Sequence, residues 1–199
     1  RLRDISYEER ALQATLQADK NVQMPPGWSQ TITYGIDLVR TDISSFADGS
    51  DPPPLPAFVP KKYFPDTRDS AQALYVQSEV SDGRWTIVPG VRIDRFAIKV
   101  LSQDGYYPTV SATPGSSLSG SATSPKLGVL WRANPTWAVF ANAAGGFRAP
   151  EGQQVNSTLE VSTARLLPNP DLKPEESRNF ELGLRGQVGG LSMDLAVFE

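Results

Sequence analysis

The sequence of 199 residues contains no cysteine and no histidine. Without cysteine there is no disulfide framework, thiolate metal site or thiol nucleophile. Without histidine, a Ser-His-Asp triad, an HExxH zinc site and a His-ligated haem cannot be assembled from these residues. Charge of one sign is also scarce. Nineteen Lys and Arg against 22 Asp and Glu give a net charge of −3, not the basic field that nucleic-acid binding requires. Hydrophobic residues make up 39%, less than a soluble globular domain usually carries. No apolar run approaches the ~20 residues of a membrane helix. That excludes helical spans and leaves open a transmembrane barrel, whose strands need only ~9–11 residues of alternating polarity. The opening "RLRDISYEER" is charged and lacks the apolar core of a signal peptide. Both ends fall in mid-pattern, so the chain reads as an internal piece of something larger.

What is abundant is period-2 alternation, which recurs eight times. Leu12, Ala14, Leu16 and Ala18 alternate with Gln13, Thr15 and Gln17, and Ile32, Tyr34, Ile36 and Leu38 with Thr33, Gly35 and Asp37. Leu74, Val76 and Val80 oppose Tyr75, Gln77 and Glu79; Trp85, Ile87, Val91 and Ile93 oppose Arg84, Thr86, Arg92 and Asp94. The remaining segments centre on 127–131, 137–143, 180–184 and 191–197. In the first two of these, Leu130 and Phe140 break the pattern by sitting on the face that should be polar.

The connections come in two sizes. "SDGR", "ANPT" and "QVGG" are tight turns, and Asp82-Gly83 suits a hairpin. Between them lie connections at about 41–69, 97–123 and 148–177, rich in Pro, Ser and Gly. One structureless loop of this length is uncommon in a compact domain, and three are expected only where short turns on one side pair with long loops on the other, as in outer-membrane barrels. All four tryptophans, Trp28, Trp85, Trp131 and Trp137, lie near short connections, where an indole favours the boundary of hydrocarbon and water. Arg84, Arg92, Asp94, Glu181, Arg185 and Asp194 occupy the polar faces, which suit a wet lumen better than a dry core. Alternation alone also fits a two-layer sandwich with these charges on its solvent side; loop lengths and tryptophan positions favour the barrel. The expected fold is all-β: about eight strands of a large antiparallel transmembrane β-barrel.

Two clusters then stand out. "SPKLGVLWRANPTWAVFANAAGGFRAPE" ends in Phe147-Arg148-Ala149-Pro150, and "NPDLKPEESRNFELGLRG" begins with Asn169-Pro170-Asp171-Leu172. Together with "ITYGIDLVRTD", "KKYFPDTRDSAQALYVQSEV" and "IVPGVRID", they resemble TonB-dependent outer-membrane receptors, and within them the haem/haemoglobin receptor branch, over nearly the whole chain. The clusters match that family's FRAP and NPNL boxes, the second with Asp171 where the box name has Asn. The resemblance implies a bacterial outer-membrane barrel of about 22 strands with an N-terminal plug outside this chain. It also implies uptake of haem, free or from a haem-carrying protein, energised through a TonB complex that engages a segment outside this chain. The resemblance suggests no enzyme and no resident cofactor, haem or a ferric chelate being cargo.

The excursion between the boxes is the expected mouth, with Arg148, Glu151, Gln153, Gln154, Asn169 and Asp171 as candidate ligand contacts. The plainer reading is that box residues only shape loop ends, Pro150 by removing a ladder donor. Here the sequence departs from the branch, whose members place a haem-ligating His between the boxes; residues 151–168 have none. Tyr is an alternative axial ligand, which makes Tyr106 and Tyr107 candidate haem contacts, although a loop Tyr pair more often packs. The remaining possibilities are a His from the plug, a protein ligand held by loop surfaces, or a cargo other than haem, such as a ferric siderophore. A piece of this kind would leave two barrel edges and a lipid-facing surface uncovered, so it is not expected to fold alone.

Overall fold

The computed structural model describes residues 2–54, 59–106, 114–161 and 164–199. Eight strands form a single antiparallel sheet, each paired with its neighbour in sequence. They are β1 (Leu2–Val22), β2 (Ser29–Ser50), β3 (Asp66–Ser81), β4 (Trp85–Ser102), β5 (Leu118–Arg132) and β6 (Trp137–Arg148), followed by β9 (Glu175–Val188) and β10 (Leu191–Phe198). Between β6 and β9 lie a one-turn helix α1 (Gly152–Asn156) and a small hairpin, β7 (Leu159–Val161) with β8 (Ala164–Leu166). The eight segments of sequence alternation are the eight strands of the main sheet.

Nothing among the described residues covers one face of the sheet. Leu16, Leu38, Leu74, Ile93, Leu127, Leu182 and Leu195 remain 42% to 71% exposed. An apolar surface of this extent is a contact surface, and on a barrel wall its partner is lipid. No second sheet packs against it among the described residues, which removes the sandwich alternative. Trp85 and Trp131, directly paired across β4 and β5, stack at 5.8 Å between ring centroids at the short-turn end of this face.

Within the apolar span the other face carries the charges, and most of those expected from the sequence are paired. The Arg92 guanidinium bonds the carboxylates of Asp37 and Asp94, the latter at 3.0 Å. Arg185 meets Asp194 at 2.8 Å, and Asn142 donates to Glu181 at 2.8 Å. Arg84 differs: it lies in the β3–β4 turn, 5.8 Å from the Trp131 ring. The two misfits of the alternation, Leu130 and Phe140, are direct partners across β5 and β6. Phe140 is buried on this face because Gly183 opposite has no Cβ to collide with its ring, while the Arg185 guanidinium lies over it at 4.6 Å.

The strands outrun their apolar pattern. The long connections shrink to 51–65, 103–117 and 149–174, because β2 continues to Ser50, β4 to Ser102, and β5 starts at Leu118. Beyond the bilayer both faces of a strand meet water or loops, so the period-2 signal fades while ladder hydrogen bonds persist. Nor are these connections structureless. On the inner face at this end, Ile43, Ala47, Phe64, Ala73, Phe96, Ile98, Tyr106 and Val155 form the buried core.

Candidate functional site

The site begins where β6 ends. Gly145 and Gly146 lead into Phe147, whose ring stacks on Phe96 of β4 at 6.4 Å. Arg148 is the last residue of β6 and Pro150, lacking an N–H, lies just beyond the ladder. Glu151 then caps α1 through a capping box. Its own side chain accepts from a backbone N–H in the first turn, and its N–H donates to Gln154 Oε1 at 3.0 Å. Arg148 Nη2 and Gln153 Nε2 both donate to the Glu151 carboxylate, at 3.1 and 2.9 Å. The hydrogen bond from Gln153, then that from Arg148, holds the Glu151 carboxyl below its usual range.

Helix α1 is one turn long and is held by what lies under it. Gly152 N donates to Asp69 Oδ2 at 2.9 Å, and Thr67 and Asp69 of β3 form the floor. A Cβ at Gly152 would come within 2.4 Å of Thr67 Oγ1 and 2.8 Å of Asp69 Oδ1, so only glycine allows this approach. Burial raises the Asp69 carboxyl pKa, and the Gly152 hydrogen bond only partly offsets it.

Asn156 is the centre of the arrangement and is fully buried. Its Oδ1 accepts from Ser116 N at 2.6 Å, and its Nδ2 donates to the carbonyls of Ser116 and Gly152 at 3.0 and 3.1 Å. Its own carbonyl accepts the Tyr106 hydroxyl at 3.0 Å. Thr158 N reaches Tyr63 O at 2.9 Å, and Lys62 N reaches Gly105 O at 2.7 Å. The connections 51–65, 103–117 and 149–174 are therefore laced together by backbone and amide hydrogen bonds into one cap over the long-loop end.

The candidate residues fall into three groups. Arg148, Glu151, Gln153 and Gln154 are together, with polar groups engaged mainly with one another. Asn169 and Asp171 lie at the return, where Asn169 N donates to Val155 O at 2.8 Å and Asn169 Oδ1 accepts from Asp171 N at 3.2 Å. Asp171 is exposed. Tyr106 is buried, its hydroxyl committed to Asn156, and burial raises its pKa. As placed it is a strut, and iron ligation would require breaking that bond. Tyr107 lies outside the described residues. Sequence reasoning missed Asn156, Asp69 and Thr67. Nothing in "EGQQVNSTLEV" distinguishes Asn156 from its polar neighbours, since its partners Ser116 and Tyr106 are 40 and 50 residues away.

The chain can now be set beside known proteins. It is 40% identical over 82 residues to the iron-regulated outer membrane virulence protein of Vibrio cholerae serotype O1 (strain ATCC 39315 / El Tor Inaba N16961), covering 40% of this chain and 13% of the relative. It is 28% identical over 134 residues to the metal-pseudopaline receptor CntO of Pseudomonas aeruginosa (strain UCBPP-PA14), covering 64% of this chain and 17% of that protein. The chain thus spans a small part of the curated relatives it matches. Among solved structures, a double mutant of the Serratia marcescens hemophore receptor HasR, in complex with its hemophore HasA and heme, superposes with a TM-score of 0.77. That match covers 98% of this chain and 33% of the other at 18% identity, which shows the fold alone. The family described as TonB dependent receptor-like, beta-barrel matches residues 2–199. An open, lipid-facing sheet with short turns at one end and laced long connections at the other is the wall of an outer-membrane barrel, and the chain belongs to the TonB-dependent receptor β-barrel family.

Proposed function

We propose that the receptor containing this barrel wall imports an iron-bearing ligand across the outer membrane, capturing it at the mouth built from 149–174 and its neighbouring connections. The observation that carries this reading is the cap itself. Three long connections are laced together at one end of a barrel wall whose inner face is polar, which makes an ordered rim facing a wet passage. Uptake is energised by a TonB complex through a part of the receptor outside this chain, as membership of the TonB-dependent receptor family supports. Haem, free or from a haem-carrying protein, is the cargo that the sequence resemblance favours. Arg148, Glu151, Gln153, Gln154, Asn169 and Asp171 would then contribute the rim, and an axial ligand would come from elsewhere in the receptor.

A specific observation favours a second cargo, a ferric siderophore. The chain has no histidine, and the Tyr106 hydroxyl is held by Asn156. A siderophore arrives already chelated and needs no protein ligand to iron. The relative CntO, named as a metal-pseudopaline receptor, lends this reading support. Titration of the full-length receptor with haemin decides between them: a saturable Soret shift supports haem, and a flat titration beside saturable ferric-siderophore binding supports the second cargo. Deleting residues 151–168 should abolish capture of either while the barrel stays folded in detergent. Uptake surviving that deletion would remove the mouth from this segment.

A further inference from the structure

On β1 to β4 the lipid-facing side of the sheet ends in a belt of positive charge toward the long connections. On β2 the outward residues run Tyr34, Ile36, Leu38 and then Arg40; on β4 they run Val91, Ile93 and then Arg95. On β1, Leu12 is followed outward by Arg10, and on β3, Leu74 gives way through Gln72 and Ser70 to Arg68. Counted from the short turns, these cations lie about ten to thirteen residues along their strands. At ~3.3 Å per residue and a tilt near 40°, that is roughly 25–33 Å, the thickness of a hydrocarbon core. The continuous apolar run on these strands therefore gives way to basic side chains at the level of the outer headgroups.

The belt is compact and only partly neutralised. Arg10, Asp42, Arg68 and Lys99 are successive partners across four strands, with Arg40 and Arg95 one and two rows nearer the bilayer. Asp42 serves two guanidiniums, Arg68 at 2.6 Å and Arg40 at 3.0 Å, and Glu8 serves Arg10 at 2.6 Å. Arg95 and Lys99 are exposed and have no hydrogen-bond or ion-pair partner among the described residues. Further outward the sign reverses, with Asp4 opposite Asp48. Rows of apolar residues topped by cations, two of them unpaired, and bounded by carboxylates match an amphiphile with acyl chains below and phosphate at its head.

The geometry points to a binding site for a phosphate-bearing lipid headgroup of the outer leaflet, held by Arg40, Arg68, Arg95 and Lys99 above the apolar band. Guanidinium forks suit phosphate oxygens, and the adjoining lipid-facing surface fixes the occupant as lipid and not a free ion. This site lies outside the barrel and is independent of the cargo. The full-length receptor in neutral detergent is titrated with bis-phosphorylated lipid A, with its dephosphorylated form and with inorganic phosphate, and bound lipid is counted by native mass spectrometry. Phosphorylated lipid should bind, the dephosphorylated form far less, and inorganic phosphate should neither bind nor compete at equal concentration. Each cation removed should weaken binding about five-fold, so Arg95→Gln with Lys99→Gln loses roughly thirty-fold. Asp42→Asn, which releases two guanidiniums, should tighten it. Heat-modifiable migration verifies that each variant is folded. Equal binding of both lipid forms, effective competition by inorganic phosphate, or no change in either variant overturns the assignment.

Discussion

Replacing Asn156 with alanine tests whether the cap is one unit. The substitution removes three hydrogen bonds, one accepted from Ser116 N and two donated to the carbonyls of Ser116 and Gly152. The freed Ser116 and Gly152 groups are partly or fully buried, so some are left without partners. A lost partner at such a site costs about 1–3 kcal/mol, and partial rehydration reduces the sum to roughly 2–4 kcal/mol. None of this falls on the barrel ladder, so the loss appears as local opening and not as unfolding of the wall. Hydrogen exchange of the full-length receptor should show amides of 114–117 and 152–158 exchanging about thirty- to a thousand-fold faster, with β3 and β4 unchanged. Asn156→Asp keeps the acceptor for Ser116 N but turns a buried carboxylate oxygen toward the Ser116 and Gly152 carbonyls, so its effect at neutral pH should be at least as large. If Asn156→Ala leaves protection within three-fold of the parent in a folded barrel, the three connections are not coupled through this residue.

Three further outcomes follow from the same contacts. Gly152→Ala places a methyl 2.4 Å from Thr67 Oγ1, and the resulting strain of about 1–3 kcal/mol should undock α1, read as new protease cleavage within 151–158. Docking of α1 should weaken as pH rises past the ordinary carboxylate range: burial raises the folded Asp69 pKa above its ordinary 3.8, so that contribution is full below the ordinary value and is lost as pH climbs through the raised one. Glu151, shifted the other way, loses its proton below the ordinary carboxylate range and does not oppose it, and Asp69→Asn should flatten the profile. On the wall, Gly183→Ala would drive a Cβ to 2.1 Å from Phe140 Cζ and lower the temperature of the heat-modifiability transition; adding Phe140→Ala should restore part of the loss, and no restoration would refute the steric account.

The eight strands, their hairpin pairing and the direction of their apolar faces were legible in the sequence, because alternation is imposed residue by residue wherever one face meets lipid and the other water. Asp82-Gly83 announced its turn for the same local reason: Gly83 has φ +86°, and the Asp82 carboxylate accepts the N–H groups of Arg84 and Trp85. The outer ends of the strands were not legible, since a ladder with polar residues on both faces has no periodic signature. Nor was the misfit of Phe140, which makes sense only once Gly183 stands opposite it. The segment between the two boxes could be singled out from sequence as the candidate rim, but its organisation depends on Asn156 meeting Ser116 and Gly152 meeting Asp69, contacts between residues 40 and 83 apart. Sequence determines what each residue prefers to face. Which distant loops share a hydrogen bond is decided only when the wall curves and brings its long connections to one end.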